Sequence, residues 1–292
     1  MDSSKRSLGI KKSKILSKIA FYVLILIVFG ITILPILVGL SGSFQPEWAI
    51  KGAKTTLIPT PEMFTLQNYQ EILADSKGNT AFQIYVLNSL KVAAGTVILT
   101  MSVSIFGAYG LARYHFKGRA LLARLMLFLY VFPTILSIIP IYKTLASLKM
   151  VNTHMGLVLV HSALVAPFCT WLLRSFFNAI PIEIEEAAYV DGANRFRVVV
   201  SIILPLAAPG ILASGMYALI YSWGESMFSS ILIDSGSLRT IPIALAGFMN
   251  HIDQKWGRLL AGSMLNVIPL LICFLPLLRT FLKGFTEGAV KE

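Results

Sequence analysis

Six charge-free, mostly apolar runs punctuate this chain, at residues 19–40, 92–112, 125–142, 155–173, 198–224 and 259–278. Each approaches the ~20 residues needed to cross a bilayer. Backbone in lipid must satisfy its own hydrogen bonds, so the pattern predicts helices throughout. The third run is the shortest and carries Pro133 and Pro140, which blurs its ends. The expected fold class is an all-α membrane protein with six transmembrane helices. The polar intervals then divide the chain into a basic N-terminus (1–18), a first transmembrane helix (19–41) and an external segment (42–85). A five-helix core (86–282) with a large loop at 175–205 follows, and then a C-terminal tail (283–292). Within the external segment, residues 65–73 read as a short helix with Thr65 as its cap. A second external segment, 234–255, joins the last two spans, and one domain is the simplest description.

Composition agrees with this pattern. Hydrophobic residues make up 56% of the 292 and charged residues only 13%, too little polar surface for a soluble domain of this length. The first apolar run is too long for a signal-peptide core and lacks a small-residue cleavage site, so it reads as a retained helix. The net charge of +11 would fit a nucleic-acid partner if it were clustered on a soluble face. Instead it follows the topology. With the N-terminus inside, the inner side receives Lys5, Arg6, Lys11, Lys12, Lys14 and Lys18, then Arg113, Lys117, Arg119 and Arg124. Arg174, Arg195, Arg197, Arg279, Lys283 and Lys291 join them, most of the 25 Lys and Arg. That is the positive-inside pattern, and it places both termini in the cytoplasm. The basic balance serves orientation and contact with lipid head groups, not nucleic acid. Cys169 and Cys273 both lie in apolar runs and read as small buried hydrophobes.

The loop at 175–205 holds the one dense polar motif, Glu185-Glu186-Ala187-Ala188-Tyr189-Val190-Asp191-Gly192, followed at a distance by Ile202-Ile203-Leu204-Pro205. Pro181 suits the first turn of a helix, where no amide partner is needed. Glu183, Glu185 and Glu186 fall near the positive end of the helix dipole, and Gly192 is a natural stop. The helix spans about ten residues, ~15 Å. Helices this short are marginal alone and need a partner surface. Ile184, Ala187, Ala188 and Asp191 share a small, flat face by 3/4 spacing.

The spacing of Glu186-Ala187-Ala188, Gly192, Ile202 and Leu204-Pro205 resembles the EAA loop of inner-membrane permeases of binding-protein-dependent ABC importers. Asn88-Ser89-Leu90, the stretch from Ala108 to Arg113 and the tail from Lys283 to Lys291 are similar to the carbohydrate-uptake branch, of the maltose-transporter small-subunit type. Trp223-Gly224-Glu225 resembles that branch's Trp-Asn-Asp/Glu, with Gly224 departing from the Asn. The resemblance implies the type I ABC importer fold, with both termini inside a bacterial or archaeal cytoplasmic membrane. It implies that Glu185, Glu186, Ala187, Ala188, Asp191, Gly192, Leu204 and Pro205 belong to a coupling helix seated in a cytoplasmic ATPase. The implied partners are a second homologous permease, two ATPase subunits that bind the ATP and Mg, an extracytoplasmic solute-binding protein and a sugar. The tail from Phe285 is implied to reach the ATPase pair. No cofactor is implied for this chain.

Other polar and aromatic positions keep two readings. Glu225 lines a pathway or caps an interfacial turn. Tyr217, Tyr221 and Trp223 stack on a sugar or form an interfacial belt. His161 and Asn266 read as interhelical hydrogen-bonding groups, and Gly107, Gly110, Gly210, Ser214 and Ala218 as close-packing positions. The chain lacks the GxxxxGK[ST] phosphate loop, HExxH and GxSxG, so it is not read as an enzyme. The alternatives are an ion-coupled secondary transporter, which needs intramembrane carboxylates, a membrane enzyme, which needs clustered acids or His, and an importer for a solute such as glycerol phosphate.

Overall fold

Helices dominate, and no strand forms among the described residues beyond an isolated bridge between Met249 and Gln254. The computed structural model describes residues 2–52, 56–73, 82–249 and 254–289, with side chains described from 17 to 276. Parts of both expected external segments (53–55, 74–81 and 250–253), the side chains of the tail and its last residues lie outside the described residues. In chain order the helices are α1 (Asp2–Ser43), α2 (Glu47–Lys51), α3 (Gln67–Leu73), α4 (Phe82–Arg113), α5 (Arg119–Val131), α6 (Ile138–Ser147) and α7 (His154–Ala179). Then come α8 (Ile182–Val190), α9 (Arg195–Val198), α10 (Leu204–Leu206), α11 (Ala208–Gly224), α12 (Met227–Leu232), α13 (Ile241–Ala246) and α14 (Trp256–Ala289). Four helical stretches are long and apolar enough to cross a membrane: Ser17–Ser43, Phe82–Arg113, His154–Ala179 and Trp256–Pro276. Two bent pairs bring the total to as many as six.

Those two pairs fall in the third and fifth runs, and each is bent. Between α5 and α6 the axis turns by 96°. Pro133 forces the preceding Phe132 into an extended conformation, φ −62° and ψ 133°, which ends α5. Pro140 sits in the first turn of α6, where its missing N–H costs nothing. In the fifth run, α9 continues through a π-helical segment, Val199–Ile203, into α10, and the axis then turns by 79° at Ala207. Pro209, in the first turn of α11, cannot donate to the carbonyl of Pro205 and crowds it, which favours a break at this point.

The chain divides into two compact units. One comprises Met1–Ile72 and Phe248–Met264. Here the apolar stretch of α1 is exposed along nearly its whole length, as befits a helix that is hydrophobic all round and meets lipid. Among the described residues, its C-terminal end is tied down. Asn68 donates to the carbonyls of Ser43 (3.0 Å) and Gln45 (2.8 Å), and Ser43 Oγ lies 2.7 Å from Tyr69 Oη. Thr65 Oγ1 accepts from Gln67 N at 3.1 Å, the expected cap of the short helix. Gly257 must be glycine for packing reasons, since a Cβ there would lie 2.4 Å from Asn68 Oδ1.

The second unit, Leu73–Gly247 and Leu265–Glu292, is built on α4, α7 and α11. Small residues bring these helices together. A Cβ on Gly210 would stand 2.4 Å from the Phe176 ring, and one on Gly95 2.9 Å from Val158. One core cluster at the foot joins Ala108, Tyr109, Leu173, Phe177, Ala188, Val198 and Ile203. Another, at the opposite end, joins Val92, Leu157, Val160, Phe228 and Leu232. Asn88 donates to the carbonyls of Ser237 (2.8 Å) and Arg239 (3.0 Å), and Ser89 Oγ accepts from Ile241 N (2.9 Å). Asn152 Oδ1 accepts from the N–H groups of Asp234 and Ser235 at 3.1 Å each. Residues 234–241 are thereby strapped to the start of α4 and to the turn before α7.

Candidate functional site

At the foot of α4 and α7 the chain turns sharply at Ile180-Pro181 and enters α8, nine residues with Pro181 at the N-cap. Gly192 ends it with φ +84°. Gly192 N–H bonds the carbonyl of Tyr189 and Ala193 N–H that of Ala188, both at 3.0 Å, the paired bonds of a glycine-terminated helix. Nothing lies within 4 Å of a Cβ built on Gly192, so only backbone conformation demands glycine there.

The helix is fastened by one inward acid. Glu185 is buried, accepts a hydrogen bond from Tyr109 Oη at 2.8 Å and forms a close ion pair with Arg113 Nε. Arg113 Nη2 also donates to the carbonyl of Ile180 at 3.0 Å, so one guanidinium holds both the α7–α8 corner and α8 itself. Tyr109 and Arg113, four residues apart, share a face of the last turns of α4. Ala188 follows Glu185 inward and packs with Ala112, Phe177 and Ile203. Ile202 and Leu204 rest on the same cluster.

The small face drawn from the sequence is therefore split. Ala188 turns inward, while Ile184, Ala187 and Asp191 stay exposed. The reason is Glu185: pairing its carboxylate with Arg113 rotates the following turn of helix onto the bundle. The outward surface includes Ile182, Glu183, Ile184, Glu186, Ala187, Tyr189, Asp191, Gly192 and Val190, the last 89% exposed. Pro205 is exposed at the start of α10. Tyr109 and Arg113 were missed as site residues; their signal was the Tyr and Arg four apart where α4 leaves the apolar run.

A second polar cluster lies deep between the helices. His161, fully buried, sits 2.9 Å from Ser222 Oγ through Nδ1 and donates through Nε2 to Glu225 Oε2 at 3.1 Å. Ser222 Oγ meets Thr96 Oγ1 at 3.2 Å, so α4, α7 and α11 share one network. Glu225 also accepts from Phe228 N (2.7 Å), Ser229 N (3.0 Å) and Ser229 Oγ (2.9 Å). Both of its oxygens are thus engaged within the chain, at the start of α12. His161 is the interhelical group expected; the Asn266 side-chain oxygen has no hydrogen-bond partner. Tyr217 stands 4.5 Å from Phe168, ring to ring, within an aromatic group that includes Tyr130, and Tyr221 stands 6.1 Å from the His161 ring. Both tyrosines are half-buried.

Residues 103–281 match the family described as binding-protein-dependent transport system inner membrane component. The chain is 34% identical over 280 residues to the inner membrane ABC transporter permease protein YcjP of Escherichia coli, covering 94% of this chain and 97% of that protein. It is 34% identical to the trehalose/maltose transport system permease protein MalG of Thermococcus litoralis, over 78% of this chain and 81% of that one. Its fold superposes with a TM-score of 0.76 on a chain of a crystal structure of a bacterial ABC transporter involved in the import of the acidic polysaccharide alginate. That likeness has 20% identity and covers 92% of this chain and 97% of the other.

Proposed function

The chain belongs to the family of inner membrane components of binding-protein-dependent transport systems, and from that premise we propose that it is the sugar-importing permease half whose α8 transmits ATPase movement. The observation that carries this reading is the build of α8. Its inward Glu185 fixes it to the bundle through Tyr109 and Arg113, while Val190 and its neighbours on the outer surface remain uncovered. A nine-residue helix with a rigid root and an exposed apolar tip is suited to receive a push and pass it into α4 and α7. Closure of two ATPase subunits, which bind the ATP and Mg, would move α8 and rock the helices attached to its root.

The relatives support a substrate class. MalG serves a trehalose/maltose system, which supports an oligosaccharide of maltose or maltodextrin type here. A second, similar permease completes the pathway, and a solute-binding protein docks on the side opposite α8. Both termini and α8 then lie in the cytoplasm, as the Lys and Arg distribution implies.

Reconstitution in liposomes tests the reading. Maltodextrin accumulation should require this chain, its partner permease, the ATPase, ATP and the binding protein together. Uptake by this chain alone, driven by an ion gradient, would refute it in favour of a secondary transporter.

A further inference from the structure

Where α4 gives way to α5, a cleft of about 650 Å³ opens at the foot of the second unit. Arg119, Arg124 and Arg174 line it, with Phe116 and Leu121, and no Asp or Glu is among its lining residues. Two of the arginines are held by the end of α4. Arg119 Nη2 donates to the carbonyl of Ala112 at 3.2 Å, and Arg174 Nε to that of Leu111 at 3.3 Å. The rest of the charge is unanswered. Arg119 Nε is shielded from solvent and has no hydrogen-bond partner. Arg124 is exposed. The positive end of the α5 dipole adds to the same field. Three guanidinium groups in one cleft without a carboxylate repel one another, and a phosphate, which accepts several N–H bonds at once, answers that charge.

The neighbourhood distinguishes a lipid phosphate from a dissolved one. From the cleft, α5 presents Leu121, Leu125 and Phe128, and its C-cap Phe132 follows them, all exposed, at spacings of four, three and four. That is one continuous helix face. The 13 residues of α5 run ~20 Å, against a hydrocarbon half-thickness of ~15 Å. A basic head site opening onto an apolar stripe of that length fits a phospholipid and has no use for the stripe if the ligand is a free ion.

We propose that this cleft binds the phosphate of an anionic phospholipid, with an acyl chain lying along the Leu121–Phe132 stripe. The test is native mass spectrometry of the full chain released from membranes of equal phosphatidylglycerol and phosphatidylcholine content. The wild type should retain phosphatidylglycerol over phosphatidylcholine by about tenfold, because both lipids offer the phosphate but the choline cation of the second meets repulsion from the clustered guanidinium groups. Arg124→Gln, at an exposed side chain, should abolish the preference, and Lys143→Gln, on exposed α6 surface, should leave it intact. Equal retention of the two lipids would overturn the proposal, as would an equal loss in Lys143→Gln. Displacement of phosphatidylglycerol by millimolar inorganic phosphate would make the ligand a soluble anion. Its absence from the assembled importer, with presence on the permease alone, would make the cleft a protein interface.

Discussion

Replacing Glu185 by Ala removes one end of the only buried ion pair that roots α8 among the described residues. The Arg113 side chain is 11% exposed and that of Glu185 4%, so the remaining guanidinium stays largely out of water. Breaking such a pair from one side costs about 3–5 kcal/mol. Arg113 keeps its bond to the Ile180 carbonyl, which places the loss near the lower end, about 3 kcal/mol. The Tyr109 hydroxyl loses its acceptor as well. Nothing local replaces the pair, because a nine-residue helix is marginal in water. The loss should therefore appear first as opening of α8, not as unfolding of the bundle. Amide hydrogen exchange across 182–190 should speed by roughly a hundredfold, at about 1.4 kcal/mol per factor of ten, while exchange in the centre of α7 stays put. Glu185→Gln, which keeps an acceptor but not the charge, should fall between. The double variant Arg113→Met with Glu185→Leu should recover most of the protection, because a buried pair and an apolar pair of similar size are near-equivalent in stability. Unchanged exchange in Glu185→Ala, or strictly additive effects of Arg113→Ala and Glu185→Ala, would refute the assignment of the latch.

Gly192→Val should insert normally yet lose transport-coupled ATP hydrolysis, while Gly192→Asn, which tolerates the left-handed conformation, should keep most of it; coupled turnover of the reconstituted importer decides this. Gly210→Ala should lower thermal stability in detergent by about 1–3 kcal/mol through its clash with Phe176, and Phe176→Leu in the same chain should relieve part of the loss. Glu225→Ala should destabilise the start of α12 and speed exchange at Phe228 and Ser229, with His161→Ala adding less to it than it costs alone, since the two share one bond. In a background of Cys169→Ser and Cys273→Ser, Ala193→Cys should resist an impermeant thiol reagent on intact cells and Gly236→Cys should react; the reverse pattern would invert the orientation.

Much of the site was legible because its chemistry is local. Pro181, the acids after it and Gly192 set the start and end of α8 without reference to anything distant, and the structure has both within a residue. The long apolar runs likewise announced the spanning helices, since lipid forces an internally bonded backbone wherever such a run occurs. The small residues at Gly210, Ser214 and Ala218 marked where α11 lies against α7, because only missing side-chain volume permits that approach. What failed locally was the shape of the proline-bearing runs: hydropathy counts residues and is blind to the direction of the axis, so the 96° and 79° turns do not register in it.

The sequence by itself determined that this is a helical membrane protein and where its short polar helix begins and ends, because hydropathy, proline and glycine act through the backbone of their own neighbourhood; that it is a permease came from the resemblance of its motif to a family. Tertiary structure alone decided which way that helix faces. Glu185 and Glu186 are chemically identical neighbours, 100° apart on one helix, and nothing within the motif ranks them. The guanidinium of Arg113 and the hydroxyl of Tyr109, more than seventy residues earlier, select Glu185 for the interior and leave Glu186 to the outside. Similarly, the acid at Glu225 looked like a lone charge at the end of an apolar run. Its partners, His161 and the amides of α12, come together only when α7 and α11 pack and the chain turns after Gly224, and the free energy of burying a carboxylate depends on that company.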